Sequence, residues 1–192
     1  MPAQKNADNV RIYGGLDDAV WIAPLGTVLP TDLVLELPSP WVELGWLAED
    51  GIPLSMTTDV QSFRGHQGGS LLRRKVVSTE KGISFTALEE SPVVWKLYYG
   101  AGDPVETSAG SGVARVDLPE SVGSQSYAAV VQLNDEDVTK FLCVERLDIG
   151  DREDVAHSGT DLTGYGISGS IIGDAYLLTN APAFTEGFTP SP

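Results

Sequence analysis

The sequence predicts a mainly β protein, a β-sandwich or half-barrel of about eight strands with one short flanking α-helix. Three observations lead there. Apolar residues recur in short runs or at every second position along most of the 192-residue chain, which is the spacing of strands. Turn-forming Gly, Pro, Asn and Asp punctuate those runs, with 21 glycines and 12 prolines in all. Helical spacing flanked by start and stop residues occurs in one segment.

The first strand is expected over 19–23, where Ala19-Val20-Trp21-Ile22-Ala23 ends at Pro24. The second covers 41–47, an imperfect alternation closed by the turn-like Glu49-Asp50-Gly51. Residues 54–69 break the pattern. Phe63 is their one large ring, and Gly65, Gly68 and Gly69 crowd the end, so a long irregular loop is expected. Strands follow at 71–78 and 82–87. Over 91–99, Ser91 can cap a helix, Pro92 suits the first helical position because its missing N–H would be unpaired there, and Gly100 supplies the stop. Val94, Leu97 and Tyr98 sit at i, i+3 and i+4, so that face should pack on the sheet. Residues 101–112 are rich in Gly, Ser and Thr and read as a flexible loop. Further strands are expected at 114–118, 126–133 and 139–147, and in the late segment where Tyr165, Ile167, Gly169 and Ile171 alternate. One domain over 1–179 and an extended C-terminal arm over 180–192, carrying Pro182, Pro190 and Pro192, complete the reading.

Composition narrows the function classes. At 42% hydrophobic and 20% charged, the chain can bury enough apolar area to offset its ordering entropy. A single cysteine excludes an internal disulfide framework and a four-thiolate zinc site. Residues 1–10 hold no apolar stretch of signal-peptide length and no later segment approaches a membrane span, so an intracellular product with no membrane partner is expected. The net charge of −15 argues against a surface that grips nucleic acid or anionic lipid.

That charge is unevenly placed. Residues 1–63 carry 2 basic against 9 acidic side chains, 64–99 carry 6 against 3, and 100–192 carry 4 against 15. The middle is a basic island whose densest part is Arg64, Arg73, Arg74, Lys75 and Lys81. Such runs usually just face water. In a chain this acidic, an island of opposite sign can also steer identical copies together, basic patch against acidic patch.

Motifs for chemistry are weak. Gly164-Tyr165-Gly166-Ile167-Ser168-Gly169 matches G-x-G-x-x-G, but it lies in an alternating strand with no helix after it, so close packing of a glycine strand is the better reading. His66 and His157 have no second His or Cys at ligand spacing. The acids 135–137 and those at 148, 151, 153 and 154 lack the spacing of a calcium loop. Cys143 sits among Phe141, Leu142 and Val144, where a thiol is an inert buried group. The tryptophans Trp21, Trp41, Trp46 and Trp95 fall in expected strands or the helix and read as core or subunit-interface residues. No catalytic, cofactor-binding or metal-ligating residue is expected, and no enzyme activity.

Several spaced elements resemble the major tail proteins, the tail-tube subunits, of long-tailed phages of actinobacteria. They are 20–24 (VWIAP), 26–32 (GTVLPTD) and 41–51 (WVELGWLAEDG), then Phe63-Arg64-Gly65-His66-Gln67-Gly68-Gly69, which resembles the family's Gln-Gly element with His66 in place of Trp. Val77-Ser78-Thr79-Glu80 and the junction from Phe85 to Gly100 continue the likeness, which is good over 16–100. The resemblance implies a structural virion protein whose copies form stacked, hexameric rings, the conduit for DNA ejection. Its implied partners are itself, the tape measure, tail terminator and tail tip proteins, and DNA in transit through the lumen. Its implied location is the virion tail, assembled in the host cytoplasm. With the basic island, the Gln-Gly element nominates Phe63, Arg64, His66, Gln67, Arg73, Arg74 and Lys75 as subunit-interface residues. The alternative is a virion or cell-surface β-sandwich that binds carbohydrate or protein, with its tryptophans exposed on one face.

Overall fold

A computed structural model describes residues 5–186. Its strands are β1 (Ala19–Pro24), β2 (Val42–Glu43), β3 (Leu54–Arg64), β4 (Leu71–Ala87), β5 (Val105–Glu106), β6 (Ala114–Arg115), β7 (Gln125–Asp135), β8 (Val138–Arg152) and β9 (Tyr165–Thr179). Helices α1 (Pro92–Tyr99) and α2 (Pro182–Thr185) and a short 3-10 turn, Ala7–Asn9, complete the elements of the described residues. Seven strands form one antiparallel sheet in the order β2-β1-β7-β8-β9-β4-β3, and β5 pairs with β6 in a small ribbon.

The sheet is a single open layer rather than two sheets face to face, and what covers it explains its sequence. Alternate residues of each central strand enter different clusters. Val20 and Ile22 of β1 join Ala129, Val131, Val144, Leu147, Ile167, Ile83 and Phe85 on one face, whereas Ala19, Trp21 and Ala23 join Ala128, Val130, Phe141 and Cys143 on the other. Helix α1 closes the first face with Val94 and Leu97; Leu29, Leu33, Leu37 and Trp41 close the second. A strand buried on both sides has no polar face to present, so 19–23 reads as an unbroken apolar run. The one buried polar residue among the described residues, Gln132, is satisfied where its Oε1 accepts from Trp21 Nε1 at 3.1 Å.

Helix α1 forms where its terminal residues require. Ser91 Oγ accepts from the Val94 N–H at 3.4 Å, and Gly100 takes φ 65° to return its N–H to the Lys96 carbonyl at 3.0 Å. Arg152 donates from Nη2 to the Leu97 carbonyl at 3.0 Å and to Gln125 Oε1 at 2.5 Å, setting a cation at the helix C-terminus and tying it to β7 and β8. Tyr98 packs edge-on against Tyr165, with ring centroids 5.5 Å apart. Burial and the Glu90 carboxylate, whose Oε1 accepts from the Tyr165 hydroxyl at 2.9 Å, push that phenol up to about 12.

Several expectations need correction. Residues 54–69 are not an irregular loop: 54–64 form β3, and the glycines fall in the turn to β4. The expected strands 71–78 and 82–87 are one 17-residue strand. The expected 41–47 strand is divided between partners: Val42–Glu43 pair with β1, and after Gly45, at φ 78°, Trp46 O and Ala48 N bond to Leu88 N and Thr86 O at 2.8 and 2.9 Å. This crossing draws the sheet round at that end, which is closer to a half-barrel than to a sandwich. Gly45 takes φ 78°, a conformation that other residues rarely adopt, and a Cβ there would stand 2.2 Å from Glu89 Cδ, so a substitution is strained and must displace the Glu89 carboxylate. The expected strand 114–118 shrinks to Ala114–Arg115, whose partner Val105–Glu106 lies inside the expected flexible loop 101–112. Of residues 180–192, expected as an extended arm, Pro182–Thr185 form α2, and 187–192 lie outside the described residues. Gly166 and Gly169 pack as the glycine-strand reading expects: a Cβ would come within 2.7 Å of Glu153 Oε2 at the first and 2.8 Å of Leu147 Cδ1 at the second. Cys143 is fully buried, and burial pushes its thiol up to about 11.

Candidate assembly surface

The β3–β4 hairpin leaves the body of the protein because β4 outruns its inner neighbour. Only Lys81–Ala87 pair with β9, over Tyr165–Ile171; β9 then continues on β8. From Leu71 to Glu80, β4 is held by β3 alone, through rungs such as Phe63 opposite Arg73, Ser62 opposite Arg74 and Gln61 opposite Lys75. Every residue of β3 is exposed, and so is every residue of β4 from Leu71 to Val77. Two register shifts, at Asp59/Val60 and Phe63/Arg64, add twist to the ribbon.

A two-stranded ribbon with two wet faces is marginal by itself, and this one presents apolar residues to water. Ile83 is core, so its partner Leu54 and, by alternation, Met56 and Val60 share the core-facing side. Met56 is 69% exposed and Leu72 is 71% exposed; Val60, Val76, Val77 and Leu71 are exposed beside them. The outer edge of β3 has no strand partner among the described residues. Exposed apolar residues on a free ribbon with an open edge make this hairpin a candidate interaction surface.

All seven residues nominated from the sequence lie at the distal end of this hairpin. Phe63 and Arg64 end β3, His66 and Gln67 occupy the turn, and Arg73, Arg74 and Lys75 begin β4. The turn is closed by the Gly65 N–H on the Ser70 carbonyl at 2.9 Å, with Gly68 and Gly69 at φ 68° and 65°. Arg64 Nη1 donates to the Gly69 carbonyl at 3.0 Å. The four ion pairs of the described residues use Arg11, Lys96, Arg115 and Arg146, none of them on the hairpin. None of the hairpin's basic side chains thus enters an ion pair among the described residues. Sequence reasoning missed the apolar row, although Leu54, Met56 and Val60 at even spacing were its signal.

The other candidate chemistries stay dispersed. Among the described residues no three His, Cys, Asp or Glu side chains lie close enough to hold a metal ion. Asp148 is held by Arg146 at 2.7 and 2.9 Å, and this hydrogen bonding lowers its carboxyl from the usual range. Glu136 turns β7 into β8 at φ 52°. No described helix is long and apolar enough to cross a membrane. Of the tryptophans, Trp21 and Trp41 are buried and Trp95 packs on Tyr99, leaving Trp46 exposed.

A family model described as phage tail tube protein matches residues 3–181, a span that holds the whole seven-stranded sheet and the hairpin. The chain belongs to the phage tail tube protein family. Solved structures similar to this tail tube family member include the tail of an empty gene transfer agent particle refined with C6 symmetry, at 11% identity over 86% of this chain and 98% of that one, TM-score 0.47. The virion of a native gene transfer agent particle is similar at 11% identity over 86% and 98%, TM-score 0.45. The six-fold symmetrised baseplate of an anti-feeding prophage is similar at 11% over 88% and 97%, TM-score 0.44. No curated protein matches the sequence.

Proposed function

We propose that this chain is the structural subunit of a phage tail tube, with copies closing into rings of six and rings stacking into a hollow conduit for DNA ejection. The observation that carries the reading is the family match over nearly the whole chain, 3–181. The hairpin supports it physically. A ring built by a heterologous contact needs two unlike, complementary patches on each copy, and a chain of net charge −15 with one projecting basic tip offers them. The six-fold number is what the sequence resemblance implies. The partners are further copies of the chain, the tape measure, tail terminator and tail tip proteins, and DNA in passage. The protein acts in the virion tail, without enzyme activity, after assembly in the host cytoplasm.

Negative-stain microscopy of the purified full chain tests the reading. Rings or tubes with a central channel are expected; a monodisperse monomer at high concentration overturns it and favours a β-rich binding module. Acidity suits a conduit, because a negative lumen repels phosphates where a basic wall would hold them. Assembled tubes are accordingly expected to show no measurable duplex binding at physiological salt in a co-sedimentation assay. Tight binding with a steep salt dependence would mean that the basic tip faces the lumen.

A further inference from the structure

At the end of β4 opposite the hairpin turn, the structure holds a cleft of about 590 Å³ between the N-terminal segment and the crossing that follows β2. Tyr13, Leu16, Asp18, Glu43, Trp46 and Glu89 line it, with Glu49 beside them, and no lining residue is basic. We propose that this cleft is the socket that receives the hairpin tip of a second copy of the chain. The proposal deepens the tube-subunit reading and rests on it.

The cleft carries the chemistry that the tip lacks. Asp18 is committed internally, since Oδ2 accepts from the Gly14 N–H at 2.8 Å and Oδ1 from the Asn134 N–H at 2.5 Å. Glu89 gives Oε1 to the Trp46 N–H at 2.9 Å and keeps its second oxygen free. Glu43 and Glu49 are exposed and enter none of the ion pairs of the described residues. Three carboxylates without a cation thus face a tip with cations that have no carboxylate. Such complementary charges give a contact its orientation and its on-rate.

The apolar parts match as well. Trp46 is 65% exposed and Leu16 86% exposed, although the Trp46 backbone is pinned on both sides by Glu89 and Leu88. An ordered backbone that holds a large ring outward suits an interface anchor, and Trp against Arg is a favoured pairing. On the tip, Phe63 sits opposite Arg73, with Leu71 and Leu72 exposed next to them.

Geometry forbids the contact within one chain. Strand β4 has 17 residues, and at about 3.3 Å per residue its two ends stand on the order of 50 Å apart. The turn is at its start, and the cleft is beside its end, where Leu47 bridges to Ala87. A knob and a socket at opposite ends of one strand join copies head to tail, the arrangement that closes a ring or extends a stack.

The test uses two single-substitution full chains, Gln67→Cys at the tip and Glu49→Cys at the rim of the cleft, with the native Cys143 silent in the core. One carries a tag, so that mixed dimers separate from like dimers after mild oxidation. The mixed dimer is expected to dominate, and adding Glu43→Arg to the Glu49→Cys chain should cut its yield about tenfold. A mixed dimer at its statistical share, or one unaffected by Glu43→Arg, overturns the socket. Tubes of the unmodified chain without mixed-dimer enrichment overturn the socket alone, and enrichment without rings or tubes overturns the tube reading alone.

Discussion

Reversing Arg73 and Arg74 together (Arg73→Glu, Arg74→Glu) is expected to abolish polymerisation while leaving the circular dichroism spectrum and melting temperature of the monomer unchanged. Both side chains are exposed at the start of β4, on rungs with Phe63 and Ser62, and neither belongs to an ion pair of the described residues. The described fold loses no ion pair with them. Between copies the effect is large, because the tip then meets an acidic neighbour with like charge, which costs several kcal/mol. Light scattering of concentrated protein followed by microscopy reads the outcome, and normal tubes from the double variant would remove the hairpin tip from the interface.

Phe141→Ala should do the reverse, destabilising the monomer itself. Phe141 is fully buried on β8, in the cluster with Trp21, Trp41, Val130 and Cys143. Removing a ring from a packed site costs about 3–5 kcal/mol, and for a domain of this size the melting temperature should fall on the order of 10 °C. Calorimetry of the monomer measures it. A fall of only a degree or two would mean that the face covered by Leu29, Leu33, Leu37 and Trp41 collapses around the gap, so that this cover is softer than its burial suggests.

The contrast between these two variants separates what the sequence carries locally from what only the fold assembles. Helix α1 was legible because Ser91, Pro92 and Gly100 encode its ends through local hydrogen bonds and backbone angles. Strand β1 was legible because burial on both faces selects an unbroken apolar run. Strand β3 was hidden for the opposite reason. Ser55, Thr57, Asp59 and Gln61 face water, but so do Leu54, Met56 and Val60, and a strand without a buried side gives a weak pattern that nearby glycines mask. The division of 41–47 between β1 and β4 was likewise invisible, since nothing near Gly45 announces that Glu89 lies 2.2 Å from where its Cβ would be.

The candidate site divides in the same way. Arg64, Arg73, Arg74 and Lys75 stood out because charge segregation is a property of composition along the chain. The cleft did not, because residues near 13–18, 43–49 and 89 are gathered by the crossing after β2 and not by any spacing. Trp46 carries no local mark that separates it from Trp41, yet one is exposed and the other buried.

The length of β4 also has a mechanical meaning. A pull on the hairpin tip runs along a single unbroken strand into the rungs that join Lys81–Ala87 to β9. Ladder hydrogen bonds lie across the strand direction, so an axial load shears these rungs together instead of peeling them one after another. The free ribbon beyond Lys81 has no such bracing and bends first. A filament linked through these hairpins would therefore flex at its joints while each subunit body kept its shape, with the tensile load carried by the same strand that contributes Ile83 and Phe85 to the core.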